Sequence, residues 1–116
     1  MKVVQTSGVP ATTGISDMFS GLAERRVVVD EEDSRQVRVA LVTFKDGAVT
    51  RMHDHAVDQI LVITEGEGIV QAEGQSEYHV TAGDVAIIPA GERHWHGAAP
   101  GKTMSHLTIT ARRELR

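Results

Sequence analysis

The 116-residue chain contains no cysteine, which excludes disulfides, thiolate nucleophiles and sulfur-ligated metal sites together. Any metal it holds must be bound through nitrogen and oxygen. Asparagine is absent as well, and arginine outnumbers lysine nine to three. A shortage of thermolabile residues is a trait of heat-adapted proteins, although an arginine-rich composition also follows from codon usage. Basic clusters are missing: the longest are the pairs Arg25-Arg26 and Arg112-Arg113, and 12 basic against 16 acidic residues give a formal charge of -4. A phosphate-backbone partner is thereby disfavoured, and nucleic acid is not an expected partner. The opening "MKVVQTSGVPATTG" carries one lysine and no apolar run of signal-peptide length. No later window approaches the ~20 apolar residues that span a bilayer. The expectation is a soluble, cytoplasmic protein with no membrane partner. Helical periodicity is nearly absent too; "ISDMFSGLAERR", residues 15–26, is the one stretch expected to form a turn or two of helix, with Ser16 as its cap and Gly21 interrupting it.

What is present is strand. The length suits one domain with a single core, read as an N-terminal arm over residues 1–24, irregular or a short edge strand, followed by a β-barrel over residues 25–116. "RRVVVD" and "QVRVALVTF" are β-branched runs separated by the acidic turn "DEEDS". "QILVIT", "GIVQA", "SEYHV", "DVAIIP" and "MSHLTIT" follow, bounded by the turn sequences "EGEG", "AEGQ", "TAGD", "PAGER" and "APGK". Many short strands at regular spacing predict an all-β sandwich or barrel. Several are apolar on both faces: Val37, Val39 and Leu41 alternate with Ala40, Val42 and Phe44. A lone small barrel wets its outer face, so something is expected to cover it, either the N-terminal arm or, as the preferred reading, a second copy in a homodimer.

Chemistry concentrates in two stretches. In "GAVTRMHDHAVDQILVITEG" (Gly47 to Gly66) His53 and His55 stand two apart and share a strand face, ~3.3 Å of rise per residue separating them by a distance two rings can close onto one ion. Gln59 reaches the same point after a short bend. "GDVAIIPAGERHWH" brings a second pair, His94 and His96, after a Pro-x-Gly turn. Three imidazoles and an oxygen donor suffice for a divalent-metal shell, and four ligands leave positions open on a metal that prefers six.

The two stretches resemble the motifs of the cupins. G(x)5HxH(x)3-4E(x)6G is matched from Gly47 through His53, His55 and position 59 to Gly66, with Gln59 in place of glutamate; G(x)5PxG(x)2H(x)3N is matched by Gly83, Pro89, Gly91 and His94, with Ala98 in place of asparagine. The resemblance covers residues 36–110. It implies a double-stranded β-helix, a jelly-roll-like barrel, with His53, His55, Gln59 and His94 as ligands of one divalent metal ion per chain. "HWHGAAP", "TMSHL" and "HxHxxxQ" are further similar to the small single-domain cupins that act as manganese-dependent hydroxynitrile lyases, which implies manganese first, ahead of iron, zinc, nickel or cobalt. It also implies a homodimer, with the arm exchanged between subunits as one form of it. Thr110 offers a hydroxyl where that resemblance implies a larger amide, and the chain ends soon after "TITARRELR". An all-neutral ligand set leaves the ion its full charge and favours Lewis-acid chemistry on a small-molecule substrate over oxygen activation. The expected activity is therefore a metal-dependent, hydroxynitrile-lyase-like C–C lyase. A non-haem metal dioxygenase and a non-catalytic metal- or ligand-binding module are the alternatives.

Two further imidazoles exceed what the metal motif requires. His96 shares the face of His94, and His106 lies on "MSHLTIT" with Leu107 and Ile109 on alternating faces; one of the two is expected to move protons, His106 ahead of His96, whose ring follows the ligand His94 closely enough to be committed to supporting it. Ala40, Val42, Phe44 and Thr110 are expected to line the substrate pocket, with Arg38 at its mouth. Arg51 is expected at the rim, Trp95 on the outer face, and Met52 and Met104 in the core.

Overall fold

The computed structural model describes residues 1–13 and 17–112. Among these residues the chain forms ten strands: β1 (Thr12–Thr13), β2 (Phe19–Ser20), β3 (Ala23–Val29), β4 (Val37–Phe44), β5 (Val49–Thr50), β6 (Gln59–Ala72), β7 (Tyr78–Thr81), β8 (Val85–Ile88), β9 (His94–Ala98) and β10 (Met104–Ala111). One 3-10 turn, Thr6–Gly8, is the only helical element among them, and no helix is long and apolar enough to cross a membrane. All strand pairs are antiparallel, in the order β1-β3-β4-β10-β6-β9-β5-β2, with β7 and β8 also on β6. The sheet curls into the expected all-β barrel.

Two expectations need correction. "QILVIT" and "GIVQA" are not separate strands: β6 runs unbroken for 14 residues through "EGEG". Its first half pairs with β10 and β8 and its second with β9 and β7, so one strand serves both walls. The corner is Gly66, at φ +77°, where a Cβ would collide with the Thr103 carbonyl; only glycine takes that conformation and that approach at no steric cost. The helical turn expected over residues 15–26 is also absent from its described part. Asp17 and Met18 form a turn, Phe19–Ser20 pairs with β5, and Ala23 starts β3; Ser16, the expected cap, lies outside the described residues. Tertiary packing overrides the weak helical pattern here: Ala23 is buried in the core with Phe44, and the Phe19 ring lies 5.7 Å from that of Phe44.

Alternation along β4 sends Ala40, Val42 and Phe44 inward, where all three are buried, to a core completed by Ile63, Val70 and Met104. The opposite face is apolar as well. Register places Leu41, Leu107, Val62 and Val85 in one row across β4, β10, β6 and β8, and Val39, Ile109, Ile60 and Ile87 in the next. Val85 and Ile87 are 55% and 74% exposed. In its described residues the N-terminal arm follows the edge of β3, where Thr12 and Thr13 pair with Arg25 and Glu24, Val9 O accepts from Arg26 Nη1, and Lys2 Nζ donates to Asp33 at 2.7 Å.

Candidate metal centre

The two histidine pairs are brought together by the backbone. His53 N donates to His94 O and His94 N to His53 O, both at 2.8 Å, and Gly91 N donates to His55 O at 2.8 Å. The segment between β5 and β6 is thus laced to the start of β9. Gln59, the first residue of β6, is buried and faces Thr110 of β10 and Ile88 of β8. On the face shared by His94 and His96, both rings are buried and stacked 5.6 Å apart.

The ring geometry is that of a ligand cluster. Ring centroids lie 4.4 Å apart for His53 and His94, 4.9 Å for His53 and His55, and 5.7 Å for His55 and His94. His53 Nδ1 donates to Arg51 O at 2.6 Å and His94 Nδ1 to Glu92 O at 2.9 Å. A neutral imidazole that donates through Nδ1 carries its lone pair on Nε2, so both rings are oriented as metal-binding histidines are. Two observations fit a cation between them. His55 Nε2 is buried with no hydrogen-bond partner, a costly state for an imidazole nitrogen. The His94 Nε2 lone pair faces Gln59 Oε1 at 3.3 Å, two acceptors that a shared cation reconciles; the amide orientation follows from this environment. One ring nitrogen from each of His53, His94 and His96 also lie within 4.8 Å of one another, a second triad from the same cluster.

His96 and His106 form a separate chain. Thr108 Oγ1 lies 3.2 Å from His106 Nδ1, and His106 Nε2 lies 3.1 Å from His96 Nδ1. One proton is shared across the second contact, so His96 Nε2 presents either an N–H or a lone pair according to which ring holds it. Phe44 packs against both rings, at 5.7 Å and 5.4 Å, and Thr50 Oγ1 accepts from His96 N at 3.1 Å. Burial, the largest cause in each case, lowers the pKa of His55, His94, His96 and His106: His96 well below its ordinary value, and His106 to about 4. Neighbouring histidines lower His55, His94 and His96 further. These four imidazoles are neutral at pH 7, with lone pairs to offer.

A cavity of about 430 Å³ opens over the cluster, lined by His53, His55, Gln59, His96 and His106. Ala40, Val42, Phe44 and Thr110 also line it, with Arg38 beside them. His94 stands behind Gln59 and lines a second cavity, about 460 Å³, with His79 and Glu92. Arg51 is exposed outside the lumen. Trp95 alternates away from it, half-buried, and donates to Gln71 at 2.7 Å; Met104 is fully buried in the core and Met52 half-buried. Sequence reasoning missed Arg25, Thr50 and Thr108. Thr108 was within reach, since it shares the β10 face of His106 and Thr110 by simple alternation.

Comparison with known proteins agrees with this fold. Residues 40–110 match the cupin domain model, and the chain belongs to the cupin family. It is 37% identical over 112 residues to an (R)-mandelonitrile lyase from Granulicella tundricola, covering 97% of this chain and 86% of that protein. It is 30% identical over 78 residues to an acireductone dioxygenase from a Sulfurihydrogenibium species, covering 65% of this chain but only 41% of the dioxygenase. A crystal structure of a cupin-like protein from Thermotoga maritima superposes with a TM-score of 0.84 at 36% identity, over 90% of this chain and 80% of that one.

The buried imidazoles make stability depend on pH. His106, at about 4 in the fold, has an ordinary value of about 6.5 in the unfolded chain, which therefore binds more protons between those limits. Stability rises with pH across that window and is lost as pH falls through it, by something on the order of 3 kcal/mol for this group. Urea unfolding of metal-free protein from pH 7 to pH 4 is expected to show that loss, and His106→Gln a shallower one. Equal slopes for the two proteins would assign the dependence elsewhere.

Proposed function

We propose that the protein is a metal-dependent enzyme that cleaves or forms a C–C bond beside a hydroxyl group, in the manner of a hydroxynitrile lyase. The observation that carries this reading is the pairing of a histidine and glutamine ligand cluster, with His55 Nε2 buried and unpartnered, with an adjoining imidazole chain in the same lumen. His53, His55, Gln59 and His94 are the ligands in this reading, and His96, whose Nδ1 contacts His106, is assigned to the proton chain because the unpartnered His55 Nε2 takes the third imidazole position. A divalent cation held there, manganese by the resemblance of the motifs, would supply Lewis acidity toward a substrate oxygen. Similarity to the mandelonitrile lyase over 97% of the chain favours a cyanohydrin-type reaction.

The chain's own residues do the rest. His96 Nε2 takes the hydroxyl proton of the substrate while its Nδ1 proton passes to His106 Nε2, 3.1 Å away, and Thr108 holds the far side of His106. The C–CN bond breaks with its electron pair on cyanide, the carbonyl forms, and cyanide collects the proton on leaving. Ala40, Val42 and Phe44 give the lumen an apolar wall, and Thr110 adds a hydroxyl to it. The test is metal-loaded protein with mandelonitrile: release of benzaldehyde and cyanide is expected, and His106→Ala or His96→Ala should slow it by about 10²- to 10⁴-fold. No metal-dependent release from a panel of cyanohydrins would reject the lyase reading.

The match to an acireductone dioxygenase favours oxygen chemistry as the second reading. Gln59 weighs against it, because an anionic donor that would stabilise a higher oxidation state is missing. Oxygen uptake by iron-loaded protein with an enediol substrate would reverse the preference.

The assembly proposed with this function is a homodimer through the apolar rows of β4, β10, β6 and β8. Eight aliphatic side chains in register form a patch of the kind soluble monomers seldom leave open. Sedimentation at micromolar concentration is expected to give a dimer, and Ile87→Asp with Ile109→Asp a monomer. A monomeric mass for the unmodified protein would contradict it.

A further inference from the structure

Charge of one sign lines the lumen. Among the described residues Arg25, Arg38 and Arg112 line it and no aspartate or glutamate does, although acidic residues outnumber basic ones 16 to 12 in the whole chain. Arg112 is committed to the fold, its Nε donating to Ser34 O at 2.9 Å and its Nη2 to Val29 O at 3.5 Å. Arg25 and Arg38 are not committed. The ion pairs among the described residues employ Lys2, Lys45 and Arg93, and neither guanidinium has a hydrogen-bond partner among those residues.

Their positions relate to the two functional ends of the lumen. Arg38 faces Thr110 across the β4–β10 pair, and Thr110 faces Gln59 across β10–β6, so Arg38 stands two strand spacings, about 10 Å, from the ligand amide. Arg25 faces Val42, which faces His106, the same offset from the imidazole chain. Apolar Ala40, Val42 and Phe44 lie between. Arg25 is half-buried and Arg38 exposed; two unpaired cations lining one cavity give it a positive potential that favours an anion between them. Guanidinium forks match a carboxylate bidentately, whereas a neutral aryl cyanohydrin makes no use of either.

We propose that the substrate of this protein carries a carboxylate, held by Arg38 and Arg25, with its reacting hydroxyl or carbonyl oxygen several ångströms away at the histidine cluster. This rests on the reading of that cluster as the reacting end; the anion site itself does not. Arg38 and Arg25 are then specificity-determining residues for a small hydroxy- or oxo-acid.

The test is calorimetric titration of manganese-loaded protein with 4-hydroxymethylbenzoate and with 4-hydroxymethylbenzamide, two probes of near-equal shape that differ in charge. The carboxylate is expected to bind at least about tenfold tighter, with the difference shrinking as salt rises. In Arg25→Gln/Arg38→Gln the two probes should bind within about threefold of each other, at unchanged manganese content and melting temperature. Equal affinities in the unmodified protein, no binding of either probe at millimolar concentration, or a preference that survives in the double variant would each overturn the proposal. Failure of the metal reading has a different signature: no manganese uptake by ligand-free protein, with the carboxylate preference intact.

Discussion

The site depends on one backbone bridge, the reciprocal pair of 2.8 Å hydrogen bonds between His53 and His94. Each such bond contributes only about 1 kcal/mol net, but the pair sets register between a loop and a strand far apart in sequence. With His53 and His94 clasped through their backbones, their rings fall 4.4 Å apart. The Nδ1 contacts to Arg51 O and Glu92 O then turn both Nε2 atoms to the same side. His55 follows because Gly91 N holds its carbonyl, and Gln59 because β6 begins there. Phe44, buried in the core with Met104, packs against His96 and His106 and gives that side of the lumen a rigid base.

That geometry has an electrostatic consequence. Imidazoles this buried are held neutral, which suits them as ligands and as proton acceptors. Gln59 adds no charge where a carboxylate would, and the arginines of the lumen are positive. The cavity is therefore a place where negative charge, on a substrate or developing on its oxygen, meets preorganised positive potential. The second histidine chain lies directly beside the cluster, with His96 stacked on His94 at 5.6 Å, and Thr50, Phe44 and Thr108 fix its position.

Much of this was legible in the sequence. Period-two alternation separates Ala40, Val42 and Phe44 from Val39 and Leu41, and motif spacing singles out His53, His55, Gln59 and His94, which the structure brings to one place. What escaped has physical causes. The "EGEG" stretch has turn composition, yet its glycines serve a corner within one strand, because Gly66 meets the Thr103 backbone from a distant loop. Residues 15–26 carry a weak helical period, but Phe19 and Ala23 are claimed by the Phe44 core. In the sequence Arg25 is marked only as half of the pair Arg25-Arg26; the curl of β3 over the lumen shows that Arg25 faces in while Arg26 reaches the N-terminal arm. Long-range closure of the sheet is invisible to local pattern.

The cluster offers two possible histidine triads, His53 with His94 and either His55 or His96, and metal analysis of single variants separates them. Tag-free protein and its His55→Ala and His96→Ala variants would be loaded with manganese, desalted and assayed for metal by elemental analysis. The account predicts about one ion per chain in the unmodified protein and in His96→Ala, and loss of the ion in His55→Ala. Retention in His55→Ala with loss in His96→Ala would contradict it and place the proton chain's own imidazole on the metal.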